Sequence, residues 1–491
     1  MKETSNTKQA LWLIIGQFST FAISFISAAI LSRCLDKTEY GTYKQILYIY
    51  VTIQSLLTMG LPNVFSYFLP RLEMGQQKTF INSMNRIFLV IGLIFSATLF
   101  FFSDLLADIL KNEELAIGLK LFSPFPIFTL PAMGIESIYT AIKKTKAIAI
   151  YQTVTRILMI IFIVGPVLLI ENNYRVAIIG WGIASFLAFI YAMYLKQKPY
   201  ININKEHVEN LNKQIFRYTT PLLGAFVFGF IISSADQFFI SRYYGTDAFA
   251  DYSNGCLSIP IAMMITSSVK SVLLPVISKA DHKGDLSTAM ISYKNAVKKS
   301  SILVFPLLTF CFFFSEEIMT FLYGTQYATS SIYMKSYIIR DFIAVLPYFS
   351  VLMALNMSKT YMYMHLYGAI YIWIFDFIAV AFNMPPYTIV LIRSSFYFFS
   401  SIYAYTTIYC KSRIRLVSPD IAKELTCIIL ACILVGGITL FISKYISTSI
   451  PLLTLIIAFI IYYAILLLQS KIFIKVNFLE PIFTLLNRKR K

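Results

Sequence analysis

Apolar residues in this chain come in blocks of roughly 20, separated by short polar gaps, from one end to the other. A block of that length spans a hydrocarbon core of about 30 Å as a single helix. No other feature constrains the fold as strongly. Inside lipid every backbone N–H and C=O must find a partner within the protein, which leaves bundled helices or a closed barrel. The strands of a barrel would alternate apolar and polar residues over about 10 positions. These blocks do not alternate. The charge content agrees, because only 13% of the 491 residues are charged and 58% are hydrophobic. A soluble domain of this length needs far more charge to cover its surface.

The expected fold is therefore an all-α polytopic membrane protein of about fourteen spans. They fall at 10–31, 46–69, 87–106, 117–140, 147–170, 176–195, 216–241, 254–277, 301–322, 332–356, 361–382, 386–409, 425–443 and 450–470. An even number puts both termini on one side, and the positive-inside rule makes that side the cytoplasm. About 29 of the 42 lysines and arginines then fall in cytoplasmic segments. The clusters are Lys143, Lys144 and Lys146; Lys196, Lys198, Lys205, Lys213 and Arg217; Lys279, Lys283, Lys294, Lys298 and Lys299; Lys411, Arg413 and Arg415; and Arg488 to Lys491. Acids gather on the other side, at Asp104, Asp108, Glu113, Glu114, Glu171, Glu316 and Glu317. The net charge of +18 is accordingly topology and attraction to anionic lipid, with no case for nucleic acid. The apolar run after Lys8 is too long for a signal-peptide core and reads as the first span.

Several chemistries are excluded. No Walker-type phosphate loop is present, so the chain carries no ATPase motor. The three histidines (His207, His282, His365) and six cysteines show no metal spacing, and several cysteines read as small apolar residues of a helical core. No loop is long enough for a soluble catalytic domain. The expectation is a non-enzyme with no cofactor and no metal.

The chain also repeats itself. "LSRCLDKTEYGTYK" (Leu31 to Lys44) aligns without a gap on "ISRYYGTDAFADYS" (Ile240 to Ser253). Ser32-Arg33 falls on Ser241-Arg242, Tyr40-Gly41 on Phe249-Ala250, and Tyr43 on Tyr252. "VFSYFLPRLEMG" from Val64 is echoed by "VKSVLLPVISKA" from Val269, and "FFFSD" (Phe100 to Asp104) by "FFFSE" (Phe312 to Glu316). Spans 1–3 thus match spans 7–9. An even number of spans separates the copies, so the repeat is parallel, as in transporters built from two similar lobes. The expected domains are an N-lobe at 1–199, a C-lobe at 200–412, and a further span pair with a basic tail at 413–491.

"LSRCLDKTEYGTYKQ", "GLPNVFSYFLPR" and "ADQFFISRYYGTDAFADYS" resemble the corresponding segments of the bacterial oligosaccharide (O-antigen/polysaccharide) flippases. These belong to the multidrug/oligosaccharidyl-lipid/polysaccharide exporter superfamily. The resemblance covers the whole chain, including the span count. It implies a carrier in the bacterial inner membrane that moves undecaprenyl-pyrophosphate-linked oligosaccharide to the periplasmic leaflet for surface glycans such as O-antigen, beside polysaccharide polymerase machinery. It also implies a cavity lined by spans 1, 2, 7 and 8. Three alternatives stand beside it: a drug/cation antiporter of the same superfamily, a flippase for lipid-linked peptidoglycan precursor, and a membrane glycosyltransferase or polymerase. An antiporter calls for an acidic cleft, and an enzyme for acids or a base on a sizeable outer loop.

Ionisable groups at membrane depth cost roughly 2.5–3.5 kcal/mol on insertion scales, so each is a candidate site. Lys270 lies in span 8, roughly 13 Å from the cytoplasmic end at helical rise, and suits a diphosphate or an acidic sugar. Snorkelling to the interface is the structural alternative. Arg33 and Arg242 hold equivalent repeat positions at outer helix ends, as substrate contacts, gate residues or interfacial anchors. Arg71 follows Pro70 where a cytoplasmic-leaflet diphosphate would arrive. Asp236, Asp376 and Glu136 are candidates for coupling to H+ or Na+, and Asp236 alternatively pairs with Arg33 or Arg242. Matching depth on neighbouring spans makes Glu136 with Arg156, and Asp376 with Arg393, candidate structural pairs. Prolines at 62, 124, 126, 221, 260, 306 and 347 predict kinks. Most of the abundant tyrosines belong to interfacial belts or packing, with some free to stack on sugars.

Overall fold

In the computed structural model, the described residues are 6–58, 60–282, 286–446, 451–469 and 478. The basic tail from Arg488 lies outside them, as do Lys2 and Lys283. The side chain of Pro221 is likewise outside the description. Among the described residues the fold is all helix, with no strand. The chain divides into two compact units, Met1–Ala250 and Asp251–Lys491.

The first unit runs α1 (Asn6–Cys34), α2 (Lys37–Thr58), α3 (Leu61–Phe68), α4 (Met74–Phe101), α5 (Ser103–Leu110), α6 (Glu114–Phe122), α7 (Phe125–Ala132), α8 (Ile135–Ala141), α9 (Thr145–Met159), α10 (Gly165–Leu169), α11 (Tyr174–Gln197) and α12 (Leu211–Phe239). A π-helical turn over Ile240–Tyr244 leads into α13 (Gly245–Gly255), inside which the division falls. The second unit continues with α14 (Pro260–His282), α15 (Leu286–Phe313), α16 (Ser315–Tyr323), α17 (Ser330–Ala344), α18 (Tyr348–Ala354), α19 (Ser358–Ala381), α20 (Tyr387–Ser412), α21 (Pro419–Ser443) and α22 (Pro451–Gln469).

Among the described residues ten helices are long and apolar enough to cross a membrane. The number becomes eleven if the bent pair Glu114–Phe122 and Phe125–Ala141, which turns by 49°, counts as one span. These eleven fall on eleven of the fourteen expected spans. The other three, 46–69, 216–241 and 386–409, coincide with α2–α3, α12 and α20. The sequences of α2 and α20 are rich in Tyr, Ser and Thr. Such helices suit a polar surround on one face, and apolarity alone does not count them.

Large apolar side chains point out of the helices into the surround. Phe101, Ile179, Leu430 and Phe441 are all half or more exposed, as lipid-facing positions are. The cysteines divide the same way: Cys311 and Cys432 are buried, while Cys410 and Cys427 are exposed. The core expectation thus holds for only part of them.

Prolines break the spans where expected. Pro124 stands at the 49° bend, and Pro347 separates α17 from α18. Proline lacks an N–H and pushes the preceding residue out of helical geometry. Pro306 and Pro275 remain inside α15 and α14.

A buried lysine holds the core of the first unit. Lys196 on α11 is fully buried and donates from Nζ to Asn85 Oδ1 on α4 at 2.8 Å and to Pro131 O on α7 at 2.6 Å. Its ammonium also lies 5.2 Å from the Phe65 ring centroid. A second cluster joins Tyr50, Phe95, Phe122, Phe125 and Trp181, with Phe122 and Phe125 stacked at 4.4 Å. In the second unit Ser394 Oγ donates to Ser336 O at 2.8 Å, tying α20 to α17. Ser350 Oγ donates to Lys270 O at 3.0 Å, tying α18 to α14.

Candidate functional site: an intramembrane cation cluster

Three helices of the second unit bring positive charge together. Lys270 is half-buried on α14, and among the described residues its Nζ donates to no acceptor. It lies within electrostatic range of Arg340 and Asp341 on α17. The Arg340 guanidinium donates from Nε and Nη2 to Asp341 Oδ1, at 3.1 and 2.8 Å, and both side chains are 13% exposed. The guanidinium lies over the Tyr337 ring at 3.8 Å from the centroid and is 5.4 Å from that of Tyr397. Ser258, in the segment before α14, stands 3.5 Å from Nη2 and 3.3 Å from the Tyr337 hydroxyl. Among the described residues Nη1 of Arg340 donates to nothing. Arg393 on α20 lies within electrostatic range of the same Tyr337. Lys270 and Arg393 thus each lie within electrostatic range of the group formed by Arg340, Asp341 and Tyr337, with Asp341 as the carboxylate in contact with Arg340.

Tyrosines extend the polar seam. Tyr348 and Ser400 hydroxyls are 3.3 Å apart, Tyr293 and Tyr405 hydroxyls 3.2 Å apart, and the Tyr348 and Tyr405 rings meet edge-on at 6.3 Å. These residues pack inside the unit, and their hydroxyls give a buried polar surface that sugar hydroxyls can match.

The remaining sequence candidates are scattered. Arg71 is exposed beyond α3, where it stacks on Tyr67 at 3.7 Å and donates to the Tyr67 carbonyl. Arg33 is exposed at the end of α1. Arg242, in the π turn, donates from Nη1 to Asp108 O at 2.9 Å, which anchors α12 to the end of α5. Asp236 on α12 and Asp376 on α19 are both fully buried.

The Glu136–Arg156 pair does not form among the described residues. Glu136 on α8 accepts from Gln152 Nε2 at 2.5 Å, while Arg156 turns its Nη1 to Met159 Sδ at 3.3 Å. Gln152 lies one turn before Arg156 on α9 and reaches Glu136 first.

Sequence reasoning missed Arg340 and Asp341. Their signal was the dipeptide Arg-Asp inside "SYIIRDFIAV", a charged pair in an apolar block. Both fall inside the expected span 332–356, outside every loop that the charge count covers.

The repeated segments also meet. Thr38 Oγ1 donates to Asp247 Oδ1 at 2.8 Å, and Gln45 Nε2 to Ser241 Oγ at 2.8 Å. Asn112 Nδ2 joins Thr42 Oγ1 at 3.0 Å and Gln45 Oε1 at 2.6 Å. Gly41 is required there, because a Cβ would lie 2.3 Å from Thr246 O.

The multi-span helical bundle is a fold that this chain shares with solved membrane transporters. The chain superposes on "Lipid II flippase MurJ, inward closed conformation" with a TM-score of 0.67 at 16% identity, covering 94% of this chain and 99% of that one. It also superposes on an inward-facing multidrug resistance MATE family transporter of the MOP superfamily (TM-score 0.56, 11% identity, 82% and 99% covered). A MOP superfamily transporter from Pyrococcus furiosus, described as having a binding pocket of reversed polarity, matches at a TM-score of 0.54 and 11% identity, with 82% and 95% covered. At these identities the likeness is one of fold. By sequence, the chain belongs to the polysaccharide biosynthesis protein family, which it matches over residues 7–281. No curated protein matches it.

Proposed function

We propose that this chain is a flippase for lipid-linked oligosaccharides. It carries an undecaprenyl-pyrophosphate-linked glycan from the cytoplasmic to the periplasmic leaflet of the bacterial inner membrane, for surface polysaccharides of the O-antigen or lipopolysaccharide kind. One observation supports this reading above the rest: Lys270 and Arg340, on two apolar helices, lie within electrostatic range of each other beside Tyr337, with Asp341 as the carboxylate paired to Arg340. Cations at membrane depth are retained where they meet an anion or a wet cavity. A diphosphate supplies the anion, and the tyrosine seam offers hydroxyls and ring faces to the sugars. The polyprenyl tail stays in lipid.

The family membership and the flippase and transporter folds point the same way. In this reading the two repeated lobes rock about the substrate to give alternating access, with both termini cytoplasmic. An H+ or Na+ gradient drives the cycle, and Asp236, Asp376 and Glu136 are the candidate carboxylates for it. Arg33, Arg242 and Arg71 would guide the headgroup at the two faces, and Arg393 and Arg156 serve structure. Anionic lipid holds the basic loops, and polysaccharide polymerase machinery receives the product. A drug/cation antiporter would need an acid-lined site, and the cluster around Arg340 has the opposite sign.

The test uses cells whose only copy carries Lys270→Ala, with expression checked. Accumulated lipid-linked precursor together with lost surface glycan supports the flippase. Normal glycan with changed resistance to cationic drugs would replace it with the antiporter.

A further inference from the structure

A site that binds a diphosphate with several cations faces a release problem. Each charge-assisted hydrogen bond strengthens the hold, and the ligand must leave on the far side of the membrane. Arg340 does not meet this problem bare. Its Nε–Nη2 edge is held by Asp341 Oδ1, and its plane lies on Tyr337. What stays open is Nη1, on a guanidinium within electrostatic range of Lys270, whose Nζ also has no acceptor among the described residues. A buried cation is usually neutralised by a carboxylate on another helix, where the pair locks the fold. Here the carboxylate is the next residue on the same helix, so its contact with Arg340 does not itself join two helices.

We propose that Asp341 is a release residue. It orients Arg340 so that Nη1 and Lys270 Nζ receive one lipid-borne diphosphate, and its negative charge keeps that binding weak enough to reverse. The inference rests on the flippase reading and adds to it the headgroup contact and its built-in counter-charge. Asn at this position is the informative change. Its side-chain oxygen still accepts from Nε and Nη2, so the guanidinium stays oriented, while the opposing charge is gone.

The experiment measures binding of a short-chain polyprenyl diphosphate to the full chain in nanodiscs, with the corresponding polyprenyl alcohol as control, and transport by the same variants in cells. Asp341→Asn is expected to bind the diphosphate about tenfold tighter than wild type and to lower both KM and kcat for transport. Asp341→Ala, which frees the guanidinium, is expected not to tighten it. An Asp341 that only supports the fold would instead give lower thermal stability with unchanged or weaker binding in both variants, and that result overturns the proposal. If Asp341→Asn does not fold, Ser258→Asp places a second carboxylate beside the same guanidinium, with Ser258→Asn as its neutral control. Weaker diphosphate binding in the aspartate alone supports the proposal, and equal binding overturns it. Wild type that prefers the diphosphate in a Lys270-dependent way, without tightening in Asp341→Asn, defeats this inference and leaves the flippase intact. Wild type that does not distinguish diphosphate from alcohol defeats both.

Discussion

Thr38 Oγ1 donates to Asp247 Oδ1 at 2.8 Å, and these two residues hold the same position in the two copies of the repeated segment. Gln45 to Ser241 is a second such bond, linking the first copy to the second. The echo in the sequence is thus also a contact in space. This latch joins the first turn of α2 to the first turn of α13.

If that latch opens during transport, a covalent one will stop it. Thr38→Cys with Asp247→Cys should cross-link under mild oxidation, since the two side chains already touch. Glycan export is expected to fall on oxidation and to recover on reduction. Undiminished export by fully cross-linked protein would show that this contact stays closed throughout the cycle.

Arg340→Lys tests whether charge alone suffices. Lysine keeps the cation but loses the planar fork and the stacking on Tyr337. Transport should drop about tenfold while protein abundance stays near wild type, as read from surface glycan against a membrane immunoblot.

Lys196→Met probes stability rather than transport chemistry. The substitution leaves Asn85 Oδ1 and the Pro131 carbonyl without their buried donor. A loss of about 2–4 kcal/mol is expected, read as a lower midpoint of thermal unfolding in detergent. An unchanged midpoint would mean that water reaches the site and replaces the ammonium.

Gly180 sets how closely α11 crosses the π-helical turn at Ile160–Val164, since a Cβ there would lie 1.7 Å from Phe162 O. Gly180→Ala should cost about 1–3 kcal/mol and reduce folded yield. By contrast Glu114→Gln, which removes the exposed ion pair with Arg175, should shift the midpoint little, by under about 1 kcal/mol.

The apolar blocks, their polar gaps and the echo of Leu31–Lys44 in Ile240–Ser253 were enough to specify a helical membrane bundle with an internal repeat. Those features are one-dimensional, because span length and loop spacing are read directly along the chain. Depth was legible for the same reason, and Lys270 was placed by it. What depth leaves open is direction around the helix. Each residue turns the side chain by about 100°, so two charges at one level can face apart. A one-turn difference in level matters as well: Glu136 meets Gln152, four residues before Arg156 on the same face of α9. Only the packing of α14 and α17 brings Lys270 within electrostatic range of Arg340 and Asp341. The sequence by itself determined where the apolar blocks run and where they are interrupted. The tertiary structure decided which charges share a site, because that depends on the azimuth of each helix and on which neighbour it packs against.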